Sequence, residues 1–492
     1  MKVQAKQYET FGQDPVSDEV VGARLDARLT RRASFIVDHM SVKPEFGFPQ
    51  IFDSDSDLEA AYLFFKNPAV TFDSLLEPHV TKTVERIQDE DVILSLEDTT
   101  EFKFNGNVKR KGLGRLNKNT QGFLTHAALA VQANSELKMP LGVLGMETYT
   151  RPDRPKGKRS TFQRRKEKKC ESKRWGRMVN TVEKAVDGKT KVIHIMDREG
   201  DMYELLSTEL KGRNFVVRAC QNRCVSVDTP DEQSNQVSHL LDELKKQPVQ
   251  YFRSAHLSYR PESKLPGKKK SHPPRSEREA ILSVSAMTAL IQRPDRGASH
   301  LPKEVVVNVV RVFEENPPEN ETAVEWVLLT SESINTIEEI NAVVEYYLKR
   351  WIIEELFKAI KTGCSFEKRQ LETYKALRNA LAVTIPIAWH LLLMRALSRS
   401  DPEKPADEIF DPRTLLLLAI MAKRYPLPEK PTVRDAVHAI AGMGGWLKRN
   451  GPPGWLTLGR GYQKLLADVH IAQTLLQLDP IELQKARRCL VS

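Results

Sequence analysis

Cysteine is scarce in this 492-residue chain, and the few present do not organise. The five are Cys170, Cys220, Cys224, Cys364 and Cys489. Cys220 and Cys224 stand close together, but no second pair of ligands follows at metal-binding spacing, which argues against a structural zinc centre. An odd, scattered set fits reduced thiols rather than a disulfide framework. Long hydrophobic runs are also missing. The most apolar stretch, Ala380 to Met394, contains Thr384, Pro386 and His390, and is expected to be too short and too broken to span a bilayer. The opening Met-Lys-Val-Gln-Ala-Lys leads into no apolar signal-peptide core. There is no internal repeat or low-complexity tract. These features predict a soluble intracellular protein, cytoplasmic and without a membrane partner. Acidic charge is in deficit: 75 Lys and Arg face 65 Asp and Glu, a formal net charge of +10, which favours a polyanionic partner. The length calls for two or three domains.

What is present centres on the segment from Tyr347 to Lys361. At about 100° per residue, a helix here brings Tyr347, Arg350, Glu354 and Lys361 within roughly 60° of one another. Ile352, Ile353, Leu356 and Ile360 fall on the opposite side. One face can bury itself while the other presents a carboxylate among two cations and a phenol. Alone, this is an ordinary amphipathic helix, and Arg350 with Glu354 has the spacing of an i, i+4 ion pair.

Two upstream aspartates sharpen the reading. The run Asp91-Val-Ile-Leu-Ser-Leu-Glu-Asp98 reads as a buried strand ending in acid, as does Lys191-Val-Ile-His-Ile-Met-Asp197. Ligands bind at the C-terminal edge of open α/β sheets. Two strand-end aspartates facing a glutamate from a packed helix could hold two Mg²⁺ ions roughly 4 Å apart. Glu97, Glu199, Asp201 and Glu355 are adjacent alternatives, although period-2 alternation sends Glu97 and Asp98 to opposite faces.

The spacing Y-x2-R-x3-E-x6-K around Glu354 resembles the YREK signature of bacterial cut-and-paste DDE transposases, in particular the insertion-sequence group that includes the transposon five transposase. Further stretches carry the same resemblance: Glu97-Asp98-Thr99-Thr100, Asp197-Arg198-Glu199, Trp326-Val-Leu-Leu-Thr330-Ser331, Lys361-Thr362-Gly363, Ala61 to Pro68, and Arg151-Pro152-Asp153. Together they run over nearly the whole chain.

The expected fold is α/β: a ribonuclease H-like catalytic core with a β-rich insertion, flanked by helical N- and C-terminal domains. Residues 1–75 read as a helical domain, with Arg24, Arg28 and Arg31 on one face and Leu25, Leu29 and Ile36 on another. The resemblance makes it the domain that recognises element ends, with Arg28 and Arg31 as DNA contacts. Residues 76–372 alternate strand and helix, with insertion strands between about 205 and 332. Thr336 with Glu339 has the pattern of a capping box. Residues 373–492 read as mostly helical, including an amphipathic stretch from Tyr462 to Leu478, and the resemblance assigns them dimerisation. Two basic stretches, Arg151 to Arg174 and Lys264 to Arg278, read as loops able to lie along DNA.

The resemblance implies that Asp98, Asp197 and Glu354 are the catalytic metal ligands, holding two Mg²⁺ ions with Mn²⁺ as a possible substitute. Arg350 and Lys361 would clamp phosphates and Tyr347 would bond a phosphate oxygen. Trp326 shares a strand face with Leu328, which fits core packing; the resemblance gives it a base flipped from the DNA to stack on. Arg218 is a further DNA contact, while His126 and His194, on apolar strands, read as structural. The implied activity is cut-and-paste transposition: 3′-end nicking, hairpin formation and opening, and strand transfer into target DNA. The implied partners are double-stranded DNA, as element ends and as target, and a second copy of the chain in a synaptic complex. The implied location is the bacterial cytoplasm, at the nucleoid. Two rivals are a ribonuclease H-like nuclease without strand transfer, and a silent end-binding inhibitor or domesticated remnant.

Overall fold

The computed structural model describes residues 16–465 apart from 21, 45, 105–108, 118–119, 134–137, 152–170, 228–235, 262–273, 401, 411 and 463. Pro152, Asp153, most of the two basic stretches, and the part of the expected amphipathic stretch after Leu465 lie outside the described residues.

The helices run in chain order as α1 (Ala27–Val42), α2 (Asp55–Lys66), α3 (Phe72–Ile87), α4 (Arg174–Val186), α5 (Ile337–Lys349), α6 (Trp351–Lys358), α7 (Tyr374–Ser400), α8 (Pro412–Met421) and α9 (Val433–Met443), with shorter turns between them. The strands are β1 (Val92–Phe104), β2 (Gly114–Arg115), β3 (Gln121–Gln132), β4 (Pro140–Tyr149), β5 (Lys191–Met196), β6 (Asn214–Arg218), β7 (Cys224–Val227), β8 (Gln236–His239), β9 (Tyr251–Leu257), β10 (Arg278–Gln292), β11 (Glu304–Phe313) and β12 (Glu325–Thr330). The protein is therefore a mixed α/β molecule. It divides into two compact units: residues 1–91, 99–160 and 352–492 form one, and residues 92–98 and 161–351 the other.

In the first unit, β3 pairs antiparallel with β4, and the second half of β1 lies beside β3. There Phe102 and Phe104 meet Phe123, and Phe102 meets Phe366. Helix α7 is the core helix, packing against α2, α3, α9 and β4. The expected break in its apolar run does not occur. Pro386 sits inside one helix long and apolar enough to cross a membrane by length and composition, yet 83% of its most apolar window is buried in the protein. A second anchor of this unit is buried Glu19, which accepts from His79 Nδ1 at 2.6 Å and pairs with Arg86. Burial alone would raise the Glu19 carboxyl, but the bond and charge of His79, with the charges of Arg86 and Lys82, hold it at about 2.

In the second unit, the first half of β1 pairs parallel with β5, and β5 pairs parallel with β6. Strand β12 then joins β6 antiparallel, followed by β11, β10, β7 and β8, with β9 on another part of β10. Strand β6, expected within the insertion, thus continues the parallel β1–β5 pairing. Its alternating Phe215 and Val217 share one buried cluster with Met196, Leu329 and Trp175. Helix α5 opens on the expected capping box: Thr336 accepts from the Glu339 N–H, and Glu339 reaches back to the Thr336 N–H.

Two expectations need correction. Asp98 does not end its strand; β1 continues to Phe104 because Phe102 and Phe104 carry it into the aromatic cluster of the first unit. The helix expected from Tyr347 to Lys361 is not continuous. It turns at Arg350, whose N–H reaches Tyr347 O, resumes as α6, and ends in a π turn over Ala359–Gly363 closed by the Cys364 N–H on Ala359 O at 2.8 Å. The extra residue of a π turn shifts side chains off the α-helical wheel, and such turns are frequent at functional sites.

Candidate nucleic-acid-processing site

Strand register builds the site in the second unit. The last paired positions are Glu97 with Met196 and Met196 with Val217. One residue further on, Asp98, Asp197 and Arg218 therefore form a row across three parallel strands, and Arg218 in turn pairs with Leu328 of β12. Adjacent strands lie about 4.8 Å apart, and side chains in register on parallel strands share a face. Two carboxylates and a guanidinium thus project side by side.

Helix α5 supplies the groups above that row. Arg350 Nη1 donates to Asp98 Oδ2 at 3.1 Å. Tyr347 is buried, with its ring centroid 6.4 Å from that of Trp326, and its hydroxyl interacts with Arg218. Burial pushes the Arg218 guanidinium below its ordinary range, and Arg198 and Arg350 push the same way. Trp326 is half-buried, next to fully buried Leu328 on its own face. Arg350 therefore meets Asp98 directly, while Arg198, Tyr347 and Arg218 interact beside it and Trp326 packs on Tyr347.

The alternative carboxylates are all engaged elsewhere. Glu97 is completely buried on the opposite face and bonds His194 Nδ1 at 2.6 Å, while His194 Nε2 meets Glu183 at 3.0 Å. Burial alone would lower His194, but the two carboxylates raise it to about 9. Glu199 pairs with Arg174. Buried Asp201 accepts from the Cys220 and Gln221 N–H groups and from Arg223. Glu355 lies 3.7 Å from Arg395 and 3.4 Å from Arg399. Asp197 itself is partly exposed and accepts from the Glu199 N–H at 2.8 Å, starting a short 3-10 turn.

Within the first unit, Glu354 is half-buried on α6 above buried Ile352, Ile353 and Leu356. Lys361 Nζ donates to Thr100 Oγ1 at 2.7 Å and lies 5.6 Å from the Phe102 ring centroid; burial pushes its ammonium below the usual lysine range. His126 is buried and bonds Thr99 at 2.9 Å. On α1, Arg28 and Arg31 are exposed while Leu29 and Ile36 are buried; Arg24 precedes the helix and pairs with Glu77.

Among the described residues, no group of three or more His, Cys, Asp or Glu side chains converges as a metal site. The donor chemistry nonetheless fits a hard divalent cation. Two carboxylates in register supply oxygen ligands, and the Arg350 guanidinium already meets one of them as a positive charge.

Sequence reasoning passed over Arg198. Its only signal was its place in Asp197-Arg198-Glu199, one residue after the row. The contact of Tyr347 with Arg218 had no linear signal, because the two are joined only by packing.

Carboxylates beside a basic, aromatic cluster suit metal-assisted chemistry on a phosphate backbone. The family model for the transposase DDE domain matches residues 120–387, more than half of the chain, and the model for transposase DNA-binding matches residues 16–70. The chain belongs to the DDE transposase family: it is a DNA-binding transposase, and members of this family use divalent metal ions. The DDE match contains Asp197 and Glu354 but begins after Asp98; the DNA-binding match contains Arg28 and Arg31. Among solved structures, the chain is similar to the piggyBac transposase in a synaptic complex with hairpin DNA, studied by cryo-EM. The identity is 10%, covering 98% of this chain and 84% of that one, with a TM-score of 0.35. So distant a likeness does not bear on the details of the fold.

Proposed function

We propose that this transposase carries out cut-and-paste transposition on a ribonuclease H-like core, with Asp98, Asp197 and Glu354 as its metal ligands. The observation that carries the reading is the row formed by Asp98, Asp197 and Arg218. It offers oxygen donors to a cation and a guanidinium to a phosphate in one line. Two bound Mg²⁺ ions, or Mn²⁺ in their place, would supply an activated oxygen nucleophile and stabilise the leaving oxygen.

The chain's own residues account for DNA positioning. Arg350 can exchange its bond to Asp98 for a DNA phosphate once a cation takes over that carboxylate. Arg218 and Lys361 add fixed positive charge, and Tyr347 orients Arg218. Trp326 lies beside Tyr347 with part of its indole exposed, which suits stacking on an extruded base during hairpin formation. Arg28 and Arg31 would contact the element end. Two copies of the chain would pair two ends, within the bacterial cytoplasm at the nucleoid.

The test is Mg²⁺-dependent cleavage of duplex DNA carrying the gene's flanking sequence, comparing wild type with Glu354→Ala. Products are resolved as nicks, hairpins and joined target. All three from wild type alone would support the reading. Cutting at any sequence without joining would replace it with a nuclease, and end binding without cutting would replace it with an inhibitor or remnant.

A further inference from the structure

The first unit carries a concentration of positive charge of its own. One cavity is lined by Lys423, Arg424, Arg460 and Lys464, together with Met421 and the backbone from Gly442 to Gly445. A second is lined by Phe46, Gly47, Gln50, Lys368, Gln370 and the same Arg460. Neither lining includes an aspartate or glutamate, so Arg460 joins two cavities into one cationic trough.

The scaffold beneath it is tightly built. Residues 455–462 and 464–465 are helical, which places Arg460 and Lys464 four apart on one face. That helix packs backbone to backbone against the end of α9: a Cβ on Gly461 would lie 1.6 Å from Ile440 O, and one on Gly444 would lie 1.9 Å from Thr457 O. Only glycine permits this approach, and it holds Arg460 and Lys464 beside Lys423 and Arg424 at the end of α8. Lys464 Nζ is also fixed by a 2.9 Å bond to Met443 O. Cations gathered in this way can displace the counterions condensed along a polyanion.

We propose that this trough is a second DNA-backbone contact, holding the same duplex that the N-terminal segment binds and extending its footprint without reading sequence. The occupant follows from continuity. Phe46, Gly47 and Gln50, which line one end, fall within residues 16–70 of the DNA-binding match. The remaining lining is mostly cationic side chains and glycine, suited to phosphates rather than base edges. The inference requires DNA binding by the N-terminal segment, but not the proposed metal ligands.

The experiment measures binding of the full chain to two duplexes from the gene's flanking sequence, one short and one extended, across a salt series. Wild type is compared with Arg460→Ala/Lys464→Ala, and separately with Lys423→Ser/Arg424→Ser at exposed positions; thermal melting identifies any variant that fails to fold. Each double variant should bind the extended duplex with a log K–log[salt] slope shallower by roughly 2, about 0.9 per lost phosphate contact. Binding of the short duplex should change less than twofold. Equal slopes for folded variants and wild type on the extended duplex would overturn the proposal. So would a loss confined to an unrelated duplex added in trans, which would make the trough a target-DNA surface. Failure of wild type to bind either duplex would instead remove the N-terminal reading on which it depends.

Discussion

Arg350 Nη1 donates to Asp98 Oδ2 at 3.1 Å, joining the end of α5 to the middle of β1 across 252 residues of sequence. Both side chains are largely buried, at 14% and 17% exposure, so solvent screens the pair little. A cation arriving at Asp98 must displace or share this guanidinium.

Replacing Arg350 should therefore separate metal binding from DNA processing. Arg350→Ala should bind Mn²⁺ more tightly in the absence of DNA, by about tenfold if a charge-assisted hydrogen bond of about 1.4 kcal/mol is lost. The same variant should cleave flanking-end DNA more slowly, since its phosphate contact is gone. Calorimetric titration and a cleavage assay read the two effects, and unchanged metal affinity would show that the bond does not compete.

Each of Asp98→Ala, Asp197→Ala and Glu354→Ala should abolish cleavage while leaving end binding within about twofold, and chelation of divalent metal should do the same to wild type. Gel-shift and cleavage assays on one preparation suffice. Full cutting by one variant would remove that residue from the ligand set.

Trp326→Ala should slow hairpin formation more than the first nick, by roughly 5- to 150-fold. Loss of a base–aromatic stack costs about 1–3 kcal/mol, and only the hairpin step calls for an extruded base. Time courses resolving nicked from hairpin product test this. Equal slowing of both steps would make Trp326 a packing residue beside Leu328.

His194 makes stability depend on pH. Its folded value of about 9 lies above the unfolded value near 6.5. The stabilisation is thus fully present below about pH 6.5 and is lost as pH rises through about 9, a span worth of order 3 kcal/mol. Thermal melts of wild type should fall across that window, and His194→Leu should lack this slope. The same slope in both proteins would place the pH dependence in another group.

Much of the site was written locally. The apolar runs of β1 and β5 that lead to Asp98 and Asp197, the buried Ile352, Ile353 and Leu356 of α6, and the Thr336 capping box each follow from short-range patterns, which one stretch of chain fixes by itself. The separation of Glu97 from Asp98 was legible for the same reason: alternation along a strand holds wherever that strand pairs. The length of β1 was not legible, because Phe102 and Phe104 extend it through contact with Phe123, whose position is set by another strand. Nor was the break at Arg350, since helical periodicity continues through it.

The sequence by itself determined which residues could do the chemistry, because residue type, spacing and motif order are properties of the chain. Only the tertiary structure decided which of them meet. Parallel pairing of β1, β5 and β6 aligned Asp98, Asp197 and Arg218. The carboxylates of Glu97 and Glu183 made buried His194 a cation, and close glycine packing gathered Arg460, Lys464, Lys423 and Arg424 around one cavity. Such pairings depend on distance in space, and residues far apart in sequence acquire that distance only when the chain folds.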